Sequence, residues 1–366
     1  MDIHSIDTNL PVLMLYNIDP EWSRVEIKES KQILKTLSGA MQKEGHPVTE
    51  ICLNNKDLAG LMKPYAPEET IVFNWCEEIP GIPHSYDQIA QTLEHLGYTF
   101  TGADSKALTF SQDKRLVKQW LDSCGISTPR WQVFTTASRD GWTNFPAIVK
   151  PALDHCSLGV TRESVVWSPE ALSSRIGFIL ENFKGPALVE EFIDGREFHV
   201  TVVGNGTLHV LPIAEMDFSA FDNTNDRLCT YESKFDPQSN AYRMIKLNIP
   251  ARMTNDEEKR LIKIAKDAYR AANCRDYARL DIRLRDGNFY ILDINPNADI
   301  SPDTSPALAA QLAGFSYGRF GSLLVNLASK RHPKFGMTGS QRTTGIERRS
   351  RTKISAKRFQ PADGLP

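Results

Sequence analysis

The segment "YARLDIRLRDGNFYILDIN" alternates polar and apolar side chains on both sides of Asp-Gly-Asn. This pattern predicts a β-hairpin. If residues 286–288 form a three-residue loop, Asp281 lies opposite Asp293. The same register places Arg279 opposite Asn295. The hairpin would therefore present two carboxylates and an amide on one face, a set of oxygen ligands suited to a hard metal ion.

Two carboxylates that lie directly opposite each other destabilise a hairpin unless a cation lies between them. Mg²⁺ would resolve this conflict because it binds oxygen ligands, which Asp281, Asp293 and Asn295 offer. A polar sheet face on which Asp293 pairs with Arg279 or Arg283 is the alternative. A two-residue turn would shift the register and break the pairing. The residues expected on the opposite, apolar face are Leu280, Ile282, Leu292 and Ile294.

Side chains elsewhere in the sequence could bind a nucleotide. Lys150 ends the apolar strand "PAIVKP", beside the loop "ALDHCSLGV", whose backbone N–H groups could bind phosphate. Glu190 and Glu191 end another strand, and Glu197 follows a glycine turn, where a carboxylate could bind a ribose. Each of these residues alone is also typical of an ordinary strand end, so the prediction depends on their combination.

The first hundred residues alternate strand-like and helix-like segments, which predicts a doubly wound parallel sheet. The strands are "PVLMLYN", "VTEICL" and "TIVFN". The helices are Ile27–Glu44 and Ser85–Leu96, the second closed by Gly97. No Gly-x-Gly-x-x-Gly follows the first strand, so we expect no dinucleotide-binding domain.

Two further units are expected to follow. The second contains a helix from Gln112 to Cys124, and the third contains a helix that begins with a capping box of Thr254 and Glu257. The predicted fold class is therefore multidomain, α/β and α+β. The expected boundaries are 1–103 for the doubly wound N-terminal domain, 104–187 for a central unit, 188–331 for a C-terminal unit with the metal site, and 332–366 for a basic, disordered tail.

The charge is unevenly distributed along the chain. Residues 330–366 carry ten Lys and Arg against two acids, which leaves 33 basic and 43 acidic residues in the first 329. We interpret the basic tail as a solvated, disordered extension, with contact to an anionic partner as the alternative. The acidic body leads us to expect no nucleic-acid partner.

The six cysteines are scattered, without a Cys-x-x-Cys pair or a Cys/His cluster. They predict reduced thiols rather than disulfides or a structural zinc site. No apolar run reaches about 18 residues, and the N-terminus is polar and acidic, so neither membrane spanning nor export is predicted. We therefore expect a cytoplasmic protein.

Five segments, in chain order, resemble the ATP-grasp superfamily, specifically the D-alanine:D-alanine ligases and their relatives. They are "SQDKRLVKQWLDSCGISTP", "FPAIVKPALDHCSLGV", "LVEEFIDGREFHV", "YESKFD" and "YARLDIRLRDGNFYILDINPNADISPDTSPALAAQLAGFSY". The resemblance spans residues 70–328. It implies an ATP-grasp fold in which the nucleotide lies between the central and C-terminal units.

The resemblance also implies roles for the residues that match the family's motifs. For ATP it implies phosphate contacts from Lys114 and Lys150, a mobile covering loop with Ser157 and Gly159, an adenine hinge of Glu190, Glu191 and Ile193, a ribose contact from Glu197, and a closing-loop lysine, Lys234. For catalysis it implies two Mg²⁺ ions, with Mn²⁺ as an alternative, bound by Asp281, Asp293 and Asn295, and an oxyanion contact from Arg279.

The reaction implied by the resemblance joins a carboxylate to an amine. The carboxylate attacks the γ-phosphorus of ATP, and the amine then attacks the resulting acyl phosphate. Lysines and Mg²⁺ would neutralise charge on the transferring group, and Arg279 would stabilise the tetrahedral oxyanion. The expected enzyme is an ATP-dependent ligase that forms C–N bonds.

The sequence departs from the D-alanine ligases at several positions. Asp293 stands where the family usually has Glu, which favours ligation through one oxygen. "PNAD" replaces the Gly-containing turn after the metal-binding strand. Cys156 replaces a Ser and Phe235 a Tyr of the first-substrate pocket. The N-terminal acid of that pocket cannot be aligned, and Glu21 and Glu26 are the candidates.

A pocket built to hydrogen-bond one substrate rejects its variants. We therefore expect substrates other than two D-alanines: an amino acid and a small carboxylate or second amino acid. Thr304 and Ser305 match the position that binds the second substrate's carboxylate, and an N-cap for the following helix is the alternative.

Two other functions stay open at this point, a true D-alanine:D-alanine ligase and a non-catalytic, nucleotide-binding regulatory module. The arginine at position 279 argues against a pure binding module, which would need no oxyanion contact. The expected partners are small molecules, with no membrane partner, and a homodimer is an open alternative.

Overall fold

A computed structural model describes residues 6–138, 141–154, 157–183, 185–236 and 238–336. Within these ranges the strands are β1 Val12–Asn17, β2 Val48–Leu53, β3 Ile71–Trp75, β4 Thr99–Phe100, β5 Trp131–Phe134, β6 Ala147–Pro151, β7 Val165–Val166, β8 Ala187–Glu191, β9 Arg196–Val203, β10 His209–Val210, β11 Ala214–Asp217, β12 Lys246–Asn248, β13 Tyr277–Arg285 and β14 Asn288–Pro296. The helices are α1 Arg24–Glu44, α2 Leu58–Met62, α3 Tyr86–His95, α4 Ser105–Gln112, α5 Lys114–Ser123, α6 Pro169–Asn182, α7 Tyr231–Phe235, α8 Asn240–Met244, α9 Asn255–Ala271, α10 Ser305–Leu312 and α11 Tyr317–Ser329.

The N-terminal sheet has the strand order β2-β1-β3-β4, and each neighbouring pair is parallel. This confirms the predicted doubly wound sheet. Helix α1 begins at Arg24, three residues before the predicted start, because Ser23 and Glu26 form a capping box. The alternation of buried strands and helices therefore predicts this sheet correctly, and the capping box marks where α1 begins.

The predicted helix from Gln112 to Cys124 is instead the second of two consecutive helices, α4 and α5. Asp113 lies between them with an extended backbone, and its carboxylate accepts a hydrogen bond from the Arg115 backbone N–H at 2.9 Å. This carboxylate satisfies an N–H group that the helix leaves unpaired, so α5 begins at Lys114.

Two antiparallel sheets form the rest of the fold. The central sheet has the order β5-β8-β6-β7, and the C-terminal sheet has the order β12-β11-β9-β13-β14, with β10 beside β9. Helix α9 begins with the predicted capping box of Thr254 and Glu257. Its buried residues Leu261, Ala265 and Ala268 pack in one core with apolar side chains of β9, β13 and β14.

Helix α11 packs against α1 at the N-terminal sheet. The approach is close, because a Cβ atom at Gly318 would lie 2.5 Å from the Ala40 carbonyl oxygen. Beyond α11, the imidazole of His332 is buried, and its Nε2 lies 3.0 Å from the Pro67 carbonyl oxygen. Residues 337–366, most of the predicted tail, lie outside the described residues.

None of the helices in the described ranges is long and apolar enough to cross a membrane. The five cysteines in these ranges, Cys52, Cys76, Cys124, Cys229 and Cys274, are free thiols.

Candidate active site

The hairpin of β13 and β14 turns through two residues, not the predicted three. Arg285 lies opposite Asn288, and only Asp286 and Gly287 lie between them. Both have a positive φ, 50° and 74°. An Asp-Gly pair suits such a tight turn because Asp tolerates, and Gly readily adopts, this backbone conformation.

The register nevertheless reaches the predicted pairing, because β14 contains a bulge. Ile282 pairs with Ile291, whereas Asp281 pairs with Asp293, so Leu292 is an extra residue. Asp281 thus faces Asp293, as predicted, and Arg279 faces Asn295. The expectation that a two-residue turn would break this pairing is wrong, because the bulge restores the register.

The bulge also changes the position of Leu292, which was predicted on the apolar face. Leu292 is half-buried and lines the same cleft as Asp293. Two consecutive residues of a strand can share a face only where the alternation is interrupted. The other three predicted apolar residues, Leu280, Ile282 and Ile294, lie in the core below α9.

Arg279 and Asp281 form a two-pronged ion pair on the polar face of the hairpin. Arg279 Nε donates to Asp281 Oδ1 at 2.7 Å, and Nη2 donates to Oδ2 at 3.0 Å. Asn295 Nδ2 also donates to Asp281 Oδ2, at 3.1 Å. Burial would raise the pKa of Asp281, but the Arg279 charge outweighs it and lowers the pKa. The alternative in which Asp293 pairs with Arg279 is therefore replaced by a pair with Asp281.

The side-chain oxygen atoms on this face are suitable ligands for Mg²⁺. Asp281, Asp293 and Asn295 supply carboxylate and amide oxygens from adjacent positions of two paired strands, which is the ligand chemistry that Mg²⁺ prefers. Asp281 is ionised well below neutral pH, as a metal ligand must be.

Most of the residues predicted to bind ATP and metal line one cleft between the central and C-terminal sheets. These are Lys114, Lys150, Ser157, Glu190, Glu191, Ile193, Glu197, Lys234, Asp281 and Asp293. Arg279 and Asn295 adjoin this cleft through their hydrogen bonds to Asp281. The structure thus brings together side chains that are up to 179 positions apart in the sequence, as Lys114 and Asp293 are.

Glu190 lies between two lysines at the bottom of the cleft. Its Oε1 is 2.5 Å from Lys118 Nζ, and its Oε2 forms an ion pair with Lys150 Nζ. The Glu190 side chain is 2% exposed, so burial alone would raise its pKa. The two ammonium groups outweigh burial and hold the pKa at about 2. This carboxylate therefore holds two lysines in place beside the cleft, of which Lys118 is buried and Lys150 is partly buried.

Lys114 begins α5, and its ammonium donates to the Asp154 carbonyl oxygen. Burial lowers the pKa of Lys114, while the Asp293 carboxylate opposes this. On the other side of the cleft, Lys234 Nζ donates to Ser157 Oγ at 2.8 Å. The two segments predicted to cover the phosphates therefore contact each other directly.

Gly159 has a structural reason to be glycine. Its φ is 72°, and an added Cβ would lie 2.7 Å from Phe183 Cζ. Its carbonyl oxygen accepts a hydrogen bond from Arg175 Nη2 at 2.7 Å. Gly159 thus anchors the loop that follows Lys150. Cys156, which was predicted to contact the first substrate, lies outside the described residues.

Glu197 is buried on β9, just after a turn whose Gly195 allows no side chain, because a Cβ there would lie 2.1 Å from the Leu284 carbonyl oxygen. Arg283 Nε donates to Glu197 Oε2 at 2.7 Å, and Arg283 Nη1 donates to the Ile193 carbonyl oxygen at 2.7 Å. Burial would raise the pKa of Glu197, but Arg283 holds it at about 2. Arg283 thus fixes both the hinge and the predicted ribose-binding acid.

The residues predicted to bind the second substrate lie at the start of α10. Thr304 occupies the N-cap position, but its hydroxyl donates to the carbonyl oxygens of Asp299 and Ser301, at 3.1 and 2.8 Å, instead of capping the helix. The Ser305 hydroxyl is 3.0 Å from His199 Nδ1. Ser305 therefore connects α10 to β9 beside Asp281.

The residues predicted to contact the first substrate lie in different environments in the structure. The Glu26 carboxylate accepts the Ser23 backbone N–H at 2.7 Å and caps α1, so this acid serves the helix. Glu21 is exposed. Phe235 is the last residue of α7.

Three polar residues in or beside the cleft escaped the sequence prediction. Lys118 lies four positions after Lys114 on α5, a spacing that places both on one helix face. His199 and Arg283 lie two positions after Glu197 and Asp281, on the same strand faces as these acids. Helical and strand periodicity could therefore have identified all three.

This arrangement of two antiparallel sheets around a lysine-lined and carboxylate-lined cleft defines the ATP-grasp fold. A solved D-alanine–D-alanine ligase of Bacillus anthracis, complexed with ATP, has the same fold with a TM-score of 0.66 and 19% identity. The match covers 88% of this chain and 98% of that chain.

Sequence comparisons place the chain within a family. The family model described as D-ala D-ala ligase C-terminus matches residues 121–326 of this chain. An uncharacterised protein of Sinorhizobium fredii is 30% identical over 84% of this chain and 90% of its own length. The D-alanine–D-alanine ligase of Aquifex aeolicus is 26% identical over 82% and 94%, respectively.

The chain therefore belongs to the D-alanine–D-alanine ligase-like family of ATP-grasp enzymes. The predictions of the superfamily, of the ATP-grasp fold and of an ATP-dependent ligase that forms C–N bonds are confirmed at this level.

Proposed function

We propose that this enzyme joins a carboxylate to an amine through an acyl phosphate, and that its substrates are an amino acid and a small carboxylate or second amino acid, other than two D-alanines. One observation carries the reaction type. The Arg279–Asp281 pair lies at the same cleft as Lys114 and Lys150, so an oxyanion contact and phosphate-binding cations occur together.

In this proposal Lys114 and Lys150 bind the ATP phosphates, Lys234 and Ser157 close over them, and Glu197 binds the ribose. Arg279 stabilises the negative charge that develops when the amine attacks the acyl phosphate. Bound Mg²⁺, or Mn²⁺, would neutralise charge on the transferring phosphoryl group, and Asp281, Asp293 and Asn295 would hold it.

The substrate side supports the exclusion of D-alanyl-D-alanine. The hydroxyl of Thr304 is already bonded to two carbonyl oxygens of its own loop. The side chain of Glu26 caps α1 and leaves this candidate acid without a substrate role. A pocket with a different set of hydrogen-bonding groups favours different substrates.

The test is a substrate screen with the purified chain, ATP and Mg²⁺. ADP release is measured with amino acids and small carboxylic acids, singly and in pairs, and the products are identified by mass spectrometry. We expect ADP release only with a compatible pair, together with one amide per ADP. Trapping with hydroxylamine would give a hydroxamate of the carboxylate substrate if an acyl phosphate forms.

The relatives named D-alanine–D-alanine ligase favour a second candidate. Robust formation of D-alanyl-D-alanine from D-alanine alone would support that activity and contradict the proposed substrate class. ATP binding without ADP release across the whole screen would instead support a regulatory nucleotide-binding module.

A further inference from the structure

A cluster of three potential metal ligands lies in the cleft, in addition to the oxygen ligands of the hairpin. Ligand atoms of Glu197, His199 and Cys229 all lie within 4.8 Å of one another. Glu197 and His199 share one face of β9 because they are two positions apart. Cys229 comes from the segment before α7, so the sequence spacing of cysteines could not indicate this cluster.

The imidazole of His199 is oriented as a metal-binding histidine would be. Its Nδ1 is hydrogen-bonded to Ser305 Oγ at 3.0 Å, and its Nε2 faces Glu197 Oε1 at 3.8 Å. Asp281 Oδ1 lies at the same distance, 3.8 Å, from Nε2. A hydrogen bond from one ring nitrogen commonly fixes the ring so that the other nitrogen can ligate a metal.

The Glu197 carboxylate is also fixed from behind. Its Oε2 accepts the Arg283 Nε–H at 2.7 Å, so Oε1 is the oxygen that faces His199. Oxygen and nitrogen ligands about 2 Å from a tetrahedral zinc ion lie roughly 3.3–3.5 Å apart. The observed 3.8 Å separation is too long for a hydrogen bond but needs only a small contraction to hold such an ion.

The ligand types select among cations. A thiolate, an imidazole and a carboxylate together favour Zn²⁺, whereas Mg²⁺ prefers oxygen ligands alone. On binding, the Cys229 thiol would release its proton to solvent as the Zn–S bond forms.

We propose that Glu197, His199 and Cys229 form a binding site for Zn²⁺ or a similar thiophilic divalent cation, and that an ion bound there excludes ATP. The second part depends on the proposed function, because it requires Glu197 to bind the nucleotide. The cluster thereby gives the ligase a cation-sensitive inhibited state that is distinct from its use of Mg²⁺.

The binding test uses the full chain without nucleotide and Co²⁺ as a spectroscopic substitute for Zn²⁺. We expect one equivalent of Co²⁺ to produce a thiolate-to-cobalt charge-transfer band that Zn²⁺ abolishes. Cys229→Ser should lose this band, while Cys124→Ser, which changes an exposed thiol directly after α5, should keep it. Ser305→Ala should weaken binding by about 10- to 100-fold, because it removes the partner of His199 Nδ1.

Circular dichroism and thermal unfolding of each variant distinguish loss of the site from loss of the fold. Cobalt binding without a thiolate band, or an unchanged band in Cys229→Ser, would overturn the metal site. ATP is then added to the Co²⁺-bound protein, and we expect the band to disappear as ATP displaces the ion. A band that persists while ATP binds would overturn the exclusion of ATP. The binding arm needs no turnover, so its failure is separate from failure of the substrate screen.

Discussion

The two sides of the cleft differ in how their polar groups are held. On the side proposed to bind ATP (the nucleotide side), charged side chains from different strands and helices pair with one another, as Glu190 does with Lys118 and Lys150. On the side proposed to bind the substrates (the substrate side), polar side chains bond mainly to backbone groups, as Thr304 does with Asp299 and Ser301. The nucleotide side is therefore a network of paired charges, and the substrate side is a set of loops shaped by side-chain bonds to the backbone.

This difference explains why the reaction type follows from the structure more directly than the substrate. Strand alternation determines which side of a sheet a residue faces, so functional groups on β13 and β14 have few alternative positions. Loop conformation depends on individual turns and caps, and each substitution there can reshape a pocket.

The largest effect should come from a change of strand register on the nucleotide side. One Ala inserted between Leu292 and Asp293 shifts Asp293 and the residues after it by one position along β14, so they change faces and Ile294 moves toward the cleft. Asp293 would then lie in an apolar core, which costs several kcal/mol for an unpaired charge. We expect lost Mg²⁺–ATP binding by calorimetry and a strongly lowered Tm.

A matched control inserts one Gly after Gly287, in the exposed turn. This lengthens the loop without removing the bulge, and extending a loop by one residue costs little. Nearly unchanged ATP binding is expected. Equal damage from the two insertions would contradict the expectation that the strand register, and not the length of the turn, aligns these residues.

The second prediction concerns the buried charges of the nucleotide side. Glu190→Gln leaves Lys118 and Lys150 without their counter-ion, and breaking a buried pair in this way costs about 3–5 kcal/mol. Glu191→Gln is the control, because its pair with Arg285 is partly exposed and should contribute about 1 kcal/mol or less. The free energy of unfolding in urea measures both variants, and equal losses would contradict the comparison.

The pH dependence of Glu190 sharpens this prediction. Its pKa falls from 4.5 to about 2 on folding, so the unfolded chain binds more protons between these values. Its contribution of about 3 kcal/mol is therefore fully present above pH 4.5 and is lost as the pH falls toward 2. The stability difference between the native chain and Glu190→Gln should shrink as the pH falls from 4.5 toward 2. A constant difference would exclude ionisation of Glu190 as its cause.

The sequence predicted the reactive face of the hairpin better than it predicted the hairpin's turn. Alternation placed Arg279 and Asp281 on one face without knowledge of the turn. The bulge at Leu292 has no local signal, because Leu292 simply continues the apolar run Phe-Tyr-Ile-Leu. The prediction made the turn one residue too long and missed the one extra residue in β14. These two errors offset each other, so Asp281 still lies opposite Asp293.

The contacts between site residues on different elements needed tertiary information. The contact between Lys118 and Glu190 joins α5 to β8 across 72 positions, and no local pattern indicates it. The cap formed by Glu26 had a local signal, since Ser23 lies three positions earlier, but the functional hypothesis competed with it. The three-unit division and the individual roles of the site residues stay predictions.

The third prediction tests whether Arg279 acts in catalysis rather than in nucleotide binding. Arg279→Lys keeps a charge but loses the two-pronged bond to Asp281. With the substrate pair found by screening, kcat should fall by about 10²–10³-fold, the cost of losing an oxyanion contact. The Kd for ATP, measured by calorimetry, should change much less.

Lys150→Met is the counterpart, and we expect it mainly to weaken ATP binding. Equal loss of ATP affinity in both variants would place Arg279 in the binding network.

The smallest effect should come from the substrate side, at the turn that follows β14. Asn297 has a φ of 60°, and its Oδ1 accepts the Ala103 backbone N–H at 2.7 Å. Asn297→Gly keeps the backbone conformation but loses this bond, which costs about 1 kcal/mol. Asn297→Ala loses the same bond and also places a Cβ in the left-handed region, which adds about 1–2 kcal/mol. Urea unfolding should therefore rank the native chain above Asn297→Gly and both above Asn297→Ala. If the two variants were equally stable, the side-chain bond and not the backbone conformation would govern this turn. Since the D-alanine ligases have a Gly-containing turn here, Asn297→Gly also tests whether substrate preference depends on this loop.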